Sequence, residues 1–307
     1  MRYFKLIKHV KLDVFEIYSH LLQLSVELFL NSINPIELFL WTFRRNEKDV
    51  VNLYNALSPV MQLATGGSML NFGFWSSENN KPILAQNNLC MIFADMAELK
   101  SSKRSVDVGS GLSAPSKLWR DTFPDMLLYD VNINLEQLSF SGNQKNIEFI
   151  NSTSTKMPFA DESFDRVLAM ESAQHFKPLG DFISESKRIL TDSGLLVMAI
   201  PVTTGNSALG KLDLLKFTWS SEHYSVNFLK NMINEKGFLI SDEKFIGSNV
   251  YEPLTDYYVA NRENLKKRIL EEYPQYVEKI LFKSLQKMKK ASKEKSIEYM
   301  LLKCHKA

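Results

Sequence analysis

The stretch Ser105-Val106-Asp107-Val108-Gly109-Ser110-Gly111-Leu112-Ser113 decides how this chain is read. Apolar residues around an acid, followed by two glycines two positions apart, describe a buried strand ending in a tight turn, where the backbone must lie flat against a ligand. A dinucleotide site needs G-x-G-x-x-G, so that a helix N-terminus can meet a pyrophosphate. Here the position three past Gly111 is Ala114, and Pro115 follows. An acid two residues before the first glycine suits a ligand with a cationic end and no pyrophosphate.

Many strand-to-helix turns carry G-x-G for geometry alone, so the surroundings matter. Downstream stand Phe149-Ile150-Asn151-Ser152-Thr153-Ser154-Thr155-Lys156-Met157-Pro158-Phe159, then Ser163-Phe164-Asp165-Arg166-Val167, then Glu185-Ser186-Lys187-Arg188-Ile189-Leu190 and Gly194. In order and spacing these resemble the class I S-adenosylmethionine-dependent methyltransferases, in the small-molecule branch with the pattern F-x-x-G-D-A-x-x-L-P-F, S-F-D-x-V and E-x-x-R-V-L-x-P-G-G. The resemblance covers about residues 52 to 200 plus the last strand. It implies an α/β fold, a Rossmann-like three-layer α/β/α sandwich. The sheet is expected to be mostly parallel and seven-stranded with an antiparallel last strand, an N-terminal helical extension and a helical insertion before that strand. S-adenosylmethionine, a ligand of the kind the glycine turn suits, is the implied cofactor.

A chain of 307 residues with 45% hydrophobic content and mixed charge can bury one large core or two small ones. A net charge of +2 argues against a dedicated nucleic-acid binder. Cys90 and Cys304 have neither metal-ligand spacing nor a partner pattern, so the reading is a reducing, cytoplasmic setting without a metal site. Near the start, Glu16, His20, Gln23 and Glu27 interrupt the apolar run too often for a signal core or transmembrane span. Val14, Phe15, Tyr18, Leu21, Leu22, Leu28 and Phe29 fall instead on one helical face, which reads as a helix packed on its own protein, with a peripheral membrane helix as the alternative.

Asn34-Pro35-Ile36-Glu37 reads as a helix start. Residues 1–52 are therefore taken as an N-terminal helical extension or lid, and 53–307 as the methyltransferase domain that the resemblance implies. From Val106 onward strands and helices alternate, which predicts parallel strands with helices on both faces. Strands are expected near 105–108, 126–130, 147–150, 165–170, 194–200 and 238–246, with helices beginning near Pro115, Leu135 and Gly180 and another over Tyr224 to Lys236. A helical insertion is expected at about 255–292, broken at Pro274 and rich in lysine at its end. Those lysines read first as a solvated face, with an anionic-substrate or membrane-surface role as the alternative.

In open α/β sheets ligands lie beyond the carboxyl ends of the strands. Four loops follow from that rule. The first runs from Asp107 through Gly109, Ser110 and Gly111, where backbone amides would take a carboxylate and Asp107 an ammonium. The second follows β-register residues 126–129; counting from the strand puts Asp130 at the ribose hydroxyls, whereas the family pattern G-x-(D/N/T)-x-S-x-x-Q-L puts Asn132 there with Gln137. The third is Ser152-Thr153-Ser154, where the family's G-D-A presents an acid to the adenine amino group and this chain has Thr153, next to Ser154, in its place. The fourth is Glu171-Ser172-Ala173-Gln174-His175, matching E-S-x-x-H; there the resemblance puts the Glu171 end near the sulfonium and His175 facing the acceptor. A histidine at a strand end has a pKa suited to taking a proton from a hydroxyl near neutral pH.

Asn71-Phe72-Gly73-Phe74-Trp75, with Tyr54, matches a Y…N-x-G-x-W segment that closes over cofactor and substrate in the same family. Together with the E-S-x-x-H loop and the insertion, it looks most like sugar and natural-product O-methyltransferases and their sterol- and tocopherol-methylating relatives. The expected substrate is a small, bulky, partly apolar acceptor, methylated on oxygen with His175 as general base. A carbon methyltransferase or cyclopropane-synthase-like enzyme acting on a lipid or isoprenoid is the alternative, weakened by Gln174 where the synthases carry an acid. A catalytically inactive cofactor-binding partner is the third reading, because Thr153, Ser113 and Asp192 depart from the pattern.

Overall fold

The computed structural model describes residues 46–67, 69–142, 145–204 and 222–307, together with Leu40 and Arg44. The expected helix over 14–29 and the helix start at Asn34 lie outside the described residues. Helix α1 (Glu47–Thr65) begins at Asn46, whose side chain accepts the amide of Asp49 at 2.9 Å. It passes positions 52 and 53 without a break. Helix α2 (Pro82–Met96) follows the N-x-G-x-W segment.

The alternating elements then appear in the expected order: β1 (Arg104–Val108), α3 (Ala114–Thr122), β2 (Leu127–Asn132), α4 (Leu135–Phe140), β3 (Ile147–Asn151), β4 (Phe164–Met170), α5 (Leu179–Ile189) and β5 (Leu190–Thr203). Strand β5 starts earlier than its apolar run because Leu190 pairs with Phe164 before residues 191–194 bulge out of register and Leu195 meets Arg166. Next come β6 (Tyr224–Ser225), α6 (Val226–Glu235) and β7 (Phe238–Phe245). The helix read from Tyr224 starts instead at Val226, because Ser225 is extended and its hydroxyl accepts the amide of Phe228 at 3.2 Å as an N-cap.

Three helices form the insertion, α7 (Gly247–Ala260), α8 (Arg262–Glu272) and α9 (Gln275–Lys293), and β8 (Ile297–Lys306) closes the chain. Pro274 caps α9, as the sequence suggested, but the insertion begins before position 255 because α7 runs straight through Pro253. The proline leaves the carbonyl of Asn249 without a helical donor. The amide of Trp75 takes that carbonyl at 2.8 Å, which pins the N-x-G-x-W segment to the insertion. On α9, Lys289 pairs with Asp256 and Lys290 with Glu294.

The sheet order is β3-β2-β1-β4-β5-β8-β7, with β6 added beside β5. Strands β3, β2, β1, β4 and β5 are parallel, and β8 runs antiparallel between β5 and β7. The central strands are buried on both faces and divide their side chains by parity. Leu168, Met170, Val197 and Ala199 join Leu89, Phe93 and Trp119 in one core. Val167, Ala169, Leu196 and Met198 join Phe182, Ile183 and Ile233 in the other. Helices therefore cover both faces, and the carboxyl ends of β1 to β4 open toward α1 and α9.

Candidate active site

A cavity of about 250 Å³ lies at those strand ends, beneath α1 and the insertion. Its floor begins with the glycine turn. Gly109 has φ +77°, and a methyl group added to it would lie 2.5 Å from Cβ of Ser172. The glycine is thus needed where the β1 turn crosses the β4 loop, a contact within the protein that precedes any ligand. The amides of Gly109 and Ser110 turn back onto the carbonyl of Val131 at 2.7 and 3.3 Å. The Ser110 hydroxyl is buried at the cavity without a partner among the described residues.

Asp107 and Asp130 do not line this cavity. They stand opposite each other in the β1–β2 register, both buried, beneath the turn. Asp107 accepts the hydroxyl of Ser116 at 2.9 Å, whereas neither oxygen of Asp130 has a partner in full hydrogen-bond geometry among the described residues. Burial, and then the charge of Asp130, push Asp107 well above the usual carboxylate range. Burial also raises Asp130, and the nearby hydroxyls of Ser113 and Ser116 offset it only in part.

Asn132 does line the cavity. Its amide donates to the carbonyl of Gly111 at 3.1 Å and to Oε1 of Gln137 at 3.0 Å, so it ties the glycine turn to α4. Gln137 in turn donates to Ser58 of α1 at 3.2 Å. At the end of β3, Thr153 donates its hydroxyl to Oε1 of Glu47 at 2.8 Å, and Ser154 sits beside it in the wall.

The β4 loop brings the remaining candidates together. Glu171 sits in the left-handed region, φ +54°, a costly position for a residue with a Cβ. Its Oε1 accepts the amide of Phe72 at 3.1 Å and the hydroxyl of Tyr299 at 2.8 Å, and burial lifts the carboxyl to about 7. Four residues on, Nε2 of His175 meets the phenol of Tyr54 at 2.7 Å, with the rings edge-to-face. Burial raises the phenol above its ordinary range, and the charge of Glu171 adds to this, so Tyr54 keeps its proton. The phenol donates to Nε2 in the imidazole tautomer with its proton on Nδ1 and accepts from Nε2 in the other.

The wall facing His175 is apolar. Val277, Ile280, Leu281 and Met288 of α9 contribute at helical spacing, and Leu53, Leu57 and Met61 of α1 do the same from the other side. The amide of Glu222 bonds the carbonyl of Gln174 at 3.0 Å and its side chain pairs with Lys177 at 2.8 Å, which sets the neighbouring His223 into the lining. Sequence reading did not single out Glu47, Ser58, His223, Tyr251 or Tyr299 as site residues. Positions 47, 51, 54, 58 and 61 do follow one helical face, a signal present in the sequence but mixed in polarity.

A methyltransferase domain family model matches residues 106–198 of the chain. Over 249 residues the chain is 26% identical to erythromycin 3''-O-methyltransferase of Saccharopolyspora erythraea, covering 75% of this chain and 81% of that protein. Among solved structures, the cyclase SpnF superposes with a TM-score of 0.70 at 17% identity, covering 85% of this chain and 97% of that one. The cyclopropane synthase MmaA2 of Mycobacterium tuberculosis gives 0.69 at 13% identity, covering 80% and 93%. At those identities the structural likeness concerns the fold alone.

Proposed function

We propose that this chain, which is a class I S-adenosylmethionine-dependent methyltransferase of the natural-product type, methylates a hydroxyl group of a bulky, largely apolar small molecule with His175 as general base. The observation that carries the proposal is the Tyr54–His175 contact of 2.7 Å at the end of β4, inside a cavity whose facing walls are apolar. The oxygen-methylating relative supports the choice of acceptor atom.

The cavity suits the cofactor. The partnerless hydroxyl of Ser110 beside the glycine turn offers a donor to the methionine carboxylate. Asn132 and Gln137 in the lining would meet the ribose, and Thr153 and Ser154 the adenine. When bound, S-adenosylmethionine supplies an electrophilic methyl group on sulfur. The protein's work is then alignment, a dry cavity and the removal of one proton.

Holding donor and acceptor in line can account for roughly 7 to 11 kcal/mol of the barrier. The apolar faces of α1 and α9 would orient the acceptor body and exclude water. With the imidazole proton on Nδ1, the acceptor hydroxyl would approach the Tyr54 phenol beside His175, and its proton would pass to the phenol oxygen as the phenol hands its own to Nε2. A base in this position contributes typically about 10² to 10⁴ in rate.

A second reading, transfer to an alkene carbon, is favoured by the Phe72 and Tyr251 rings and the Glu171 carboxyl in the same wall, which could stabilise a carbocation. The test is incubation with methyl-labelled cofactor and a panel of hydroxylated macrocycles, glycosides and unsaturated lipids. Label recovered as a methyl ether is the expected result. Label recovered only on carbon would overturn the oxygen reading and leave the second.

A further inference from the structure

The end of β3 is the part of the cavity furthest along the sheet from His175, since β2 and β1 lie between β3 and β4. With the reacting methyl group near His175, this is where the nucleoside base of the cofactor falls. A purine with an amino group is a donor there and needs an acceptor. The β3 loop itself supplies no carboxylate: the hydroxyl of Ser152 is spent on the carbonyl of Lys156 at 3.0 Å, and Thr153 has only a hydroxyl.

A carboxylate is nonetheless present. Glu47, on the first turn of α1, lines the cavity and accepts the Thr153 hydroxyl on Oε1 at 2.8 Å. That bond uses one oxygen and leaves the other for a ligand, and it also polarises the hydroxyl. We infer that Glu47 is the base-recognition residue of this enzyme, delivered from the lid helix in place of an acid on the β3 loop. This rests on the cofactor reading given above. A charged acceptor makes a stronger hydrogen bond to an amino group than a hydroxyl does.

The same helix face carries Tyr54 to His175 and Ser58 to Gln137. Recognition of the base, support of the ribose loop and alignment of His175 therefore depend on one seated helix. A nucleoside without the amino group would fail to seat α1 fully.

The experiment is calorimetric titration of the full chain with S-adenosylhomocysteine and with S-inosylhomocysteine, which carries an oxygen where adenine carries the amino group. The wild-type protein is expected to prefer the adenosyl compound. Glu47→Ala should lose about tenfold in affinity for it while binding the inosyl compound no worse. Adding Thr153→Asp to Glu47→Ala should restore the preference, which a purely structural role for Glu47 would not predict. Equal losses for both ligands in Glu47→Ala, or an unchanged preference, would overturn the inference. A wild-type chain that bound neither ligand would instead overturn the cofactor reading beneath it.

Discussion

The phenol of Tyr54 and Nε2 of His175 meet at 2.7 Å although 121 positions separate them, one on α1 and the other on the loop after β4. The imidazole is thereby held with Nε2 against the phenol in the cavity wall. His175→Ala should leave cofactor affinity nearly unchanged and lower turnover by about 10² to 10⁴. The limb of the pH–rate profile that rises through the imidazole titration should vanish with it. Tyr54→Phe removes the phenol that orients Nε2 and passes the proton to it but leaves the base itself, and should cost less. Steady-state kinetics across pH checks both, and a folded His175→Ala protein with undiminished turnover would remove His175 from the mechanism.

Asn132 and Asp130 lie two residues apart on β2 but only Asn132 reaches the cavity. Asn132→Ala breaks the ties to Gly111 and Gln137, each worth roughly 0.5 to 1.5 kcal/mol, and should weaken cofactor binding measured by calorimetry. Asp130→Asn should leave affinity unchanged. The opposite pattern would move the ribose contact to Asp130.

The buried Asp107–Asp130 pair links stability to pH. Both carboxyls are held above their unfolded values, so their contribution is fully present below the ordinary carboxylate range of about 4 and is lost as pH rises through the folded value, about 6 for Asp130. The melting temperature should therefore fall between pH 5 and pH 8. Asp130→Asn should flatten that fall and raise the melting temperature at pH 8. Thermal unfolding of both proteins at the two pH values settles the point, and parallel curves would refute it.

Gly109→Ala forces a Cβ into a backbone with φ +77° and within 2.5 Å of Ser172. The strain alone is of order 1–3 kcal/mol. Loss of stability and of cofactor affinity is expected together. Gly142→Ala is the control, since φ is +66° there but nothing lies within 4 Å, and it should show the smaller loss.

The apolar wall of α9 should govern the acceptor and not the cofactor. Leu281→Asp places a charge in the acceptor end of the cavity and should raise acceptor KM by about tenfold or more while cofactor affinity holds. Equal loss in both would mean that α9 supports the site only by packing.

The order of strands and helices was legible in the sequence because it rests on local signals. Valine-rich runs around Asp107, the glycines of the turn, and the apolar faces of α3 and α5 each declare an element without reference to the rest. The placement of the four loops at one edge followed as well, since parallel strands with crossovers leave their carboxyl ends together. What the sequence could not rank was depth along a strand: Asp130 and Asn132 share one face of β2, and the β1–β2 register sets Asp130 opposite Asp107 inside the sheet while Asn132 ends the strand at the cavity. Nor could it pair Glu47 with Thr153, Tyr54 with His175, or Tyr299 with Glu171. Each of these contacts spans about a hundred positions or more and exists because α1 packs back over the strand ends and β8 returns to pair with β5. Residue type and spacing declare what a segment can do; the side chains that complete its chemistry are chosen by long-range packing.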